Sequence, residues 1–525
     1  MAVGSVGGTY GLSGSGIDVD SIVKGLMTSQ QAKTDALQQK KTVAQWQKTA
    51  YNTVYDDINS FRTNVFNYKL QGTLSPNKVS SSNTSVATVT ANADAVEVNH
   101  SLVVTQLASG VNLTSTAAIS ATQPPTLGTL VTQFGMLATS SSFNITIKNG
   151  TAPSASFSID PKTDTINDVV SKFNNAGVNV KANYDSTLDR FFLTTTNTGA
   201  TSGVSFASSD PAGLVFLGKQ LKLPDLSTAD GGTSYSDIPK VGKDANFTLD
   251  DVPLTQAYNN FTISGVTYNL TGVSAIPSTI TVTNDTDTAV ASIKSLVDSY
   301  NKILTELNGK MNEAKYKDFP PLTDAQKLVM KDSDIVAWNV KAQSGMLNND
   351  PTLASLVNSM RNAFSNSVTG ITGAYNSGAS IGITTGNYTE GGKLYLDTDK
   401  LRTALNTNPD VLNQLFGAKG TTKPDGKIDS NSQGIAGRLY DGIKTTMDQL
   451  ATTAGTTGTT QYDTSSNYAK KITSYNLQIS DQATRFTTVQ AAYYKKYSAM
   501  EVALQKLTSQ SSWISSMLSP GSTGG

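Results

Sequence analysis

The chain has no cysteine and a single histidine, His100, among its 525 residues. Disulfides, thiolate nucleophiles and cysteine-based zinc sites are excluded, and a three-histidine metal site needs more imidazoles than exist. Charge is scarce too. Asp, Glu, Lys and Arg make up 15% of the residues and balance to zero, against about 25% charged residues in an ordinary soluble domain. That balance leaves no basic footprint for nucleic acid or anionic lipid. No run approaches the roughly 20 apolar residues of a membrane span. Met1–Gly16 lacks Lys, Arg and an apolar core segment but holds six glycines, so a mobile tail is expected there rather than a secretory signal.

What remains is a chain rich in Ser, Thr, Asn and Gln, with 38% apolar residues. At about 150 residues per domain it has room for three or four. Ile22, Val23, Leu26 and Met27 form the stripe of a short helix that Asp18 or Asp20 would cap. A longer helix is predicted from Val43, Trp46, Ala50, Val54, Ile58, Phe61, Val65 and Tyr68, whose mean step is about 3.6, with Gly72 and Pro76 ending it. From Lys78 to about Thr286 the period falls to two. Val96, Val98, His100, Leu102 and Val104 alternate, as do Phe143, Ile145 and Ile147 before the turn signal Asn149-Gly150. One short helix, Ile166 to Phe173, interrupts these strands.

Helical spacing returns at Thr288. One stripe runs from Ala289 to Met311, another from Leu353 to Phe364, and a third helix is expected from Thr398 to about Phe416, after a short β element around Ile381, Ile383, Leu394 and Leu396. The last helix is the longest: Ile472, Tyr475, Ile479, Phe486, Val489, Tyr493, Tyr497, Met500, Leu504 and Leu507, with one polar step at Gln482. Its period of 3.5 is that of a coiled coil, although a bundle helix would carry a similar stripe. The expected fold class is α+β and multidomain. Terminal helices pair as a coiled-coil or helical-bundle stalk, and β-rich domains are inserted between them.

Reaction chemistry finds no foothold. Gly378-Ala-Ser-Ile-Gly382 matches the G-x-S-x-G elbow of hydrolases, but Ile381 and Ile383 read as a strand and the one histidine precedes the serine. The pairs Asp18/Asp20, Asp285/Asp287 and Asp397/Asp399 lack the further oxygens and turn glycine of a calcium loop, so caps or turns are the better reading. Gly391-Gly392-Lys393-Leu394 lacks the hydroxyl residue of a P-loop. His100 reads as a core or surface residue. No catalytic, cofactor or metal residue is assigned. Large apolar groups crowd both chain ends instead: Ile17, Ile22, Val23, Leu26 and Met27, and Leu504, Leu507, Trp513, Ile514, Met517 and Leu518. Such clusters mark a contact with another chain, or they finish the coiled-coil core.

Four segments together resemble the flagellar filament capping proteins, the hook-associated protein 2 or FliD family. They are Gly14-Ser-Gly-Ile-Asp-Val-Asp-Ser-Ile-Val-Lys-Gly-Leu-Met27; His100 to Leu113; Gly392-Lys-Leu-Tyr-Leu-Asp397 with Asn408-Pro-Asp-Val-Leu-Asn-Gln-Leu-Phe416; and Leu504-Gln-Lys-Leu507 with Ser509-Gln-Ser-Ser-Trp-Ile514. Ile166–Thr195 is similar to the small insert shared by flagellins and hook-associated proteins. The resemblance implies an extracellular protein at the flagellum tip, exported by the flagellar type III system without a cleaved signal peptide. It implies a homo-oligomeric ring, of the order of five subunits, that guides flagellin into the filament. Flagellin, hook-associated junction proteins and an export chaperone would be its partners, without nucleic acid or membrane insertion. Residues 1–42 with 480–525 would form a leg, and 43–72 with 288–479 a helical domain. Residues 73–113 with 238–287 would form one β-rich domain and 114–237 a second. Flagellin or a junction protein shares the nesting of β domains between helices, and a phage tail or surface adhesin shares the Thr/Ser-rich composition.

Overall fold

In the computed structural model, residues 18–518 are described, except 208, 225, 230–233 and 460–461. The glycine-rich segment 1–16 and Ile17 lie outside the described residues. Two compact units make up the chain: Met1–Leu74 with Asp287–Gly525, and Ser75–Thr286. In chain order the helices of eight residues or more are α1 (Val19–Asn67), α2 (Ile166–Asn174), α3 (Thr286–Asn312), α4 (Asp332–Gln343), α5 (Pro351–Ser365), α6 (Thr398–Thr407), α7 (Ile435–Ala454) and α8 (Asn467–Leu518).

The first unit is helical. Its core gathers Val54, Ile58, Phe61 and Val65 of α1 with apolar faces of α3, α5, α6 and α7. The two helices expected at the N-terminus are one, because nothing between Met27 and Val43 breaks the 49 residues of α1. It ends at Asn67, before the expected Gly72, and a single turn, Gln71–Leu74, follows. The helix expected from Thr398 to Phe416 is two. Asn408 takes the extended backbone that a following proline favours, and a second short helix, Val411–Phe416, starts after Pro409. Helix α7 was not among the expected elements, although Ile435, Leu439, Ile443, Met447 and Leu450 keep a helical step and are all buried.

Caps explain where several helices begin. Asp18 accepts from the Ser21 amide at 3.0 Å, and Asp350 accepts from the Thr352 and Leu353 amides at 2.9 and 3.0 Å. Asp397 does the same for α6 through Asp399 and Lys400. The β element is a two-stranded ladder of Ile383–Thr385 with Leu394–Leu396. Ile381 is not in it: Ala379–Ile381 is a 3₁₀ turn closed by Gly382 at φ +94°.

The second unit holds two apolar clusters. One lines a five-stranded antiparallel sheet made of β1 (Asn77–Ser81), β2 (Asn99–Gln106), β3 (Ala245–Leu249), β4 (Val252–Gln256) and β5 (Ser274–Asn284), in spatial order β1-β5-β2-β3-β4. Leu102, Val104, Phe247, Leu249, Ile280 and Val282 point to its buried face. Val96 and Val98, expected in the same strand, precede it in a tight turn and are exposed. The other cluster runs from Val111 to Leu223 and centres on Phe173 of α2, which meets Phe157 edge-on at 5.0 Å. Thr165 and Asp168 form a capping box at the start of α2. After Asn149 the chain takes a longer connection than the two-residue hairpin, with Gly150 at φ +55° packed against the Thr201 carbonyl.

Ile58 is fully buried, whereas Phe486 on α8 is half-buried. Ile58→Ala is expected to cost the helical unit about 2–5 kcal/mol and to lower its melting temperature by circular dichroism. Phe486→Ala should leave that transition in place and appear only as faster amide exchange over Val19–Met27. Equal effects of the two would contradict this division of the helix.

Candidate functional site

The feature that sets this chain apart from a plain bundle is the antiparallel pairing of α1 with α8. Its base is held by polar contacts. Lys48 Nζ lies 2.8 Å from Asp463 Oδ2, both side chains nearly enclosed, and Asp463 also accepts from the Ser465 and Ser466 amides and the Ser466 hydroxyl. Burial by itself would raise the Asp463 carboxyl. The Lys48 ammonium and the serine donors more than reverse this and hold it well below the usual carboxylate range. One turn on, the Tyr51 hydroxyl donates to Asp350 Oδ2 at 2.5 Å, and its ring lies 5.7 Å from that of Tyr468. Burial, then the Asp350 carboxylate, push the Tyr51 phenol up. Thr457 donates to Asp56 at 2.7 Å. Three side chains of α1 thus tie down the starts of α5 and α8 and the turn before α8.

Away from this base the pair thins out. Val43, Trp46 and Ala50 are half-buried, as are Ile472, Tyr475 and Ile479. Val54, Ile58, Phe61 and Val65, expected in the seam with α8, face the bundle core instead, because α7 packs along that half of α1 and Phe61 meets Tyr300 of α3 edge-on. At the far end the seam becomes apolar again. Val19, Val23 and Met27 are buried against Phe486, Val489, Tyr493, Tyr494 and Tyr497. Ile22 and Leu26, one position round the helix, stay exposed.

Beyond Tyr497, α8 continues for 21 residues, about 30 Å at 1.5 Å each. Met500 is exposed and Leu504 half-buried. Leu507, Trp513, Ile514, Met517 and Leu518 are all exposed, Leu518 by 75%. Met500, 39% exposed and past the start of α1 at Val19, therefore leaves the expected seam. The last turns of α8 present apolar side chains without an intramolecular partner among the described residues.

The groups that the sequence singled out for reaction chemistry are engaged in structural contacts. The Ser380 hydroxyl is spent on the Ser377 carbonyl at 2.7 Å inside its 3₁₀ turn. His100 lies in the other unit, with Nδ1 2.7 Å from Asp250. A polar recess beside α5 and α7 contains Arg438, whose guanidinium donates to the carbonyls of Asn366, Ser367, Ser430 and Asn431. That arginine fastens a loop. No cluster of metal-ligating side chains occurs among the described residues, and no described helix is long and apolar enough to cross a membrane.

Comparison with known proteins decides the family. Residues 15–110 match the family model of the flagellar hook-associated protein 2 N-terminus, and residues 242–509, more than half the chain, match that of its C-terminus. The chain belongs to the flagellar hook-associated protein 2 family. It is 28% identical to the flagellar hook-associated protein 2 of Halalkalibacterium halodurans over 94% of this chain and 97% of that one. The Escherichia coli K12 protein of that name is 24% identical over 95% and 96%. In fold the chain is similar to the crystal structure of the D1-D2-D3 domains of the E. coli flagellar cap protein FliD, with TM-score 0.53 and 20% identity over 81% of this chain and 99% of that one. The two family models, unlike the full-length relatives, bracket the second unit's Val111–Leu223 cluster and leave it uncovered. The C-terminal match stops at Ser509, before Trp513.

The Lys48–Asp463 pair is the contact here whose loss is most sharply readable. Asp463→Asn leaves an enclosed ammonium without its countercharge and is expected to cost about 3–5 kcal/mol in urea unfolding. A Lys48→Met, Asp463→Leu double variant should recover most of it. In the parent, the depressed Asp463 value means that its contribution is complete above about pH 4, the unfolded value, and is lost as pH falls through the folded one. Asp463→Asn should flatten that acid limb; an unchanged limb would show that the pair does not stabilise the base.

Proposed function

We propose that this chain caps the distal end of the flagellar filament as a ring of its own copies and guides exported flagellin into the growing tip. One observation carries the reading. The two segments that match the hook-associated protein 2 models include all of α1 and α8 as far as Ser509, and α8 runs on past that match into uncovered apolar side chains. A cap must hold to a filament while each new subunit enters, so its grip has to come from surface that is apolar and unsatisfied in the free protein. Fully burying one Leu- or Met-sized side chain is worth about 1.5–3 kcal/mol. A few such groups give a firm contact that a small shift of the helix can break and remake.

The partners follow from this reading. Leu504, Leu507, Trp513, Ile514, Met517 and Leu518, with the exposed Ile22 and Leu26, would meet neighbouring copies and the filament end. An export chaperone would cover the same groups before secretion, because exposed apolar helices aggregate. Junction proteins at the hook would be the first surface on which the ring sits. Work of this kind makes and breaks contacts rather than bonds, in keeping with relatives that are structural cap proteins.

Truncation after Thr508 tests the reading. The shortened chain is expected to keep its circular dichroism and melting profile, while cells that make it release unpolymerised flagellin and grow few or no filaments. Normal filaments and motility, with the truncated protein present, would overturn the role of these turns. A collapsed monomer fold would assign them to the core instead.

A further inference from the structure

Where α1 ends, two cations share one aromatic ring. Lys69 Nζ lies 4.5 Å and Arg62 Cζ 5.8 Å from the centre of the Tyr440 ring on α7, so the two charges are within about 10 Å of each other. A ring face attracts a cation, yet two like charges held this close repel unless an anion stands beside them. Among the described residues no carboxylate comes within ion-pair distance of either. A third cation nearby, Lys444, is answered by Asp448 at 2.7 Å, and Asp441, next to Tyr440, accepts from Gln433. Phe66, tilted against Tyr440 at 6.0 Å, and Leu70 are each nearly half exposed. The surface thus offers two unanswered positive charges and two apolar side chains.

The second unit carries the complement. Before β2, residues 92–98 form a loop that is held in shape. Asn77 Nδ2 of β1 donates to the carbonyls of Asn92 and Ala95 at 3.1 and 2.9 Å, and the Asn92 amide donates to the Gly265 carbonyl at 2.8 Å. Ala95 is buried, and the Val98 amide closes a tight turn onto the Val96 carbonyl at 2.9 Å. What the loop shows to water is Asp94, Val96, Glu97 and Val98, with Val96 60% exposed. Lys78, next to Asn77, pairs with neither carboxylate, nor does any other cation among the described residues. Three residues span at most about 10 Å of chain, so Asp94 and Glu97 can face Lys69 and Arg62 together. Because the loop is already fixed, seating it costs little ordering.

We propose that the Asp94–Val98 loop of one copy seats on the Arg62, Lys69 and Tyr440 patch of the next, with carboxylates on the cations and valines against Phe66 and Leu70. A nucleic acid would ask for a longer run of cations than two. A fixed loop with two carboxylates and apolar flanks matches the patch both in charge and in kind. The patch belongs to the first unit and the loop to the second. Two different surfaces of one subunit build head-to-tail assemblies, which close into a ring when the rotation allows. The contact rests on the ring reading above, and the measurements separate the two.

Sedimentation of the full chain over a concentration series reads association directly. Lys69→Glu and Glu97→Lys alter exposed positions, so their circular dichroism should match the parent. Each is expected to raise the concentration for half-association by about fivefold. Joining both in one chain should restore most of the loss, because the charges are then exchanged and still opposed. Since the chain has no cysteine, a Lys69→Cys sample mixed with a Glu97→Cys sample should give an oxidative cross-link absent from either alone. A parent that associates, with single variants that associate equally and no cross-link in the mixture, would sink this contact and leave the ring standing. A parent that stays monomeric throughout would sink both. A cross-link that forms within a chain carrying both cysteines, and not between chains, would seat the loop on its own copy and equally overturn the proposal.

Discussion

Everything in the helical unit depends on one helix changing partners along its length. The C-terminal half of α1 packs into the bundle core with α7 and α3, and at its N-terminal end Val19, Val23 and Met27 pack against α8. A stripe that repeats near 3.6 residues serves either neighbour, so the pattern runs through the change without a mark. What marks it is chemistry: Lys48, Tyr51 and Asp56 stand where bundle gives way to pair, and each is tied to an oxygen on another element. A buried ion pair contributes little net stability beside a well-packed apolar contact, yet it is costly to break on one side. Its value here is register. With Lys48 opposite Asp463, the helices can meet further out only with Val23 and Met27 beside the Phe486–Tyr497 stretch.

From that register the exposed surface follows. Because α1 starts at Val19, the longer α8 outruns it, and the apolar residues past Tyr497 have nothing described to lie against. Low charge over the whole chain matters at this point. With 15% charged residues there is little long-range repulsion to keep apolar ends apart, so the chain is disposed to assemble through short-range contact.

The second unit obeys a different economy. Its two clusters are built from short antiparallel strands with Ser and Thr on the outer positions, so the surface is satisfied by hydroxyls instead of ions. The cluster from Val111 to Leu223 lies between the two family matches and is complete in itself, with α2 and its aromatic neighbours as its centre. A self-contained core can be carried by a family member without altering the helices that join its ends.

Periodicity alone determined most of the elements: most of the long helices, the strand-rich middle, α2, and the α8 stripe from Ile472 to Tyr497. These are local properties, set by 3.6- and 2-residue repeats and by caps within four residues. The absence of Cys, the single His and the motifs at both ends likewise bounded the function before any fold was known. Tertiary structure decided which stripe met which. Val54, Ile58, Phe61 and Val65 were legible as buried but not as bundle core, because burial reads the same whichever helix provides it. Val19 was hidden in the sequence, and Val23 and Met27, expected with Ile22 and Leu26 to meet another chain, are buried against α8 while Ile22 and Leu26 stay exposed. One residue is 100° of helix, and only the position of α8 says which side is inside. Leu328, Val329, Val336 and Val340 carried no warning either, since four apolar residues near a short helix look like core until the fold leaves them out in water.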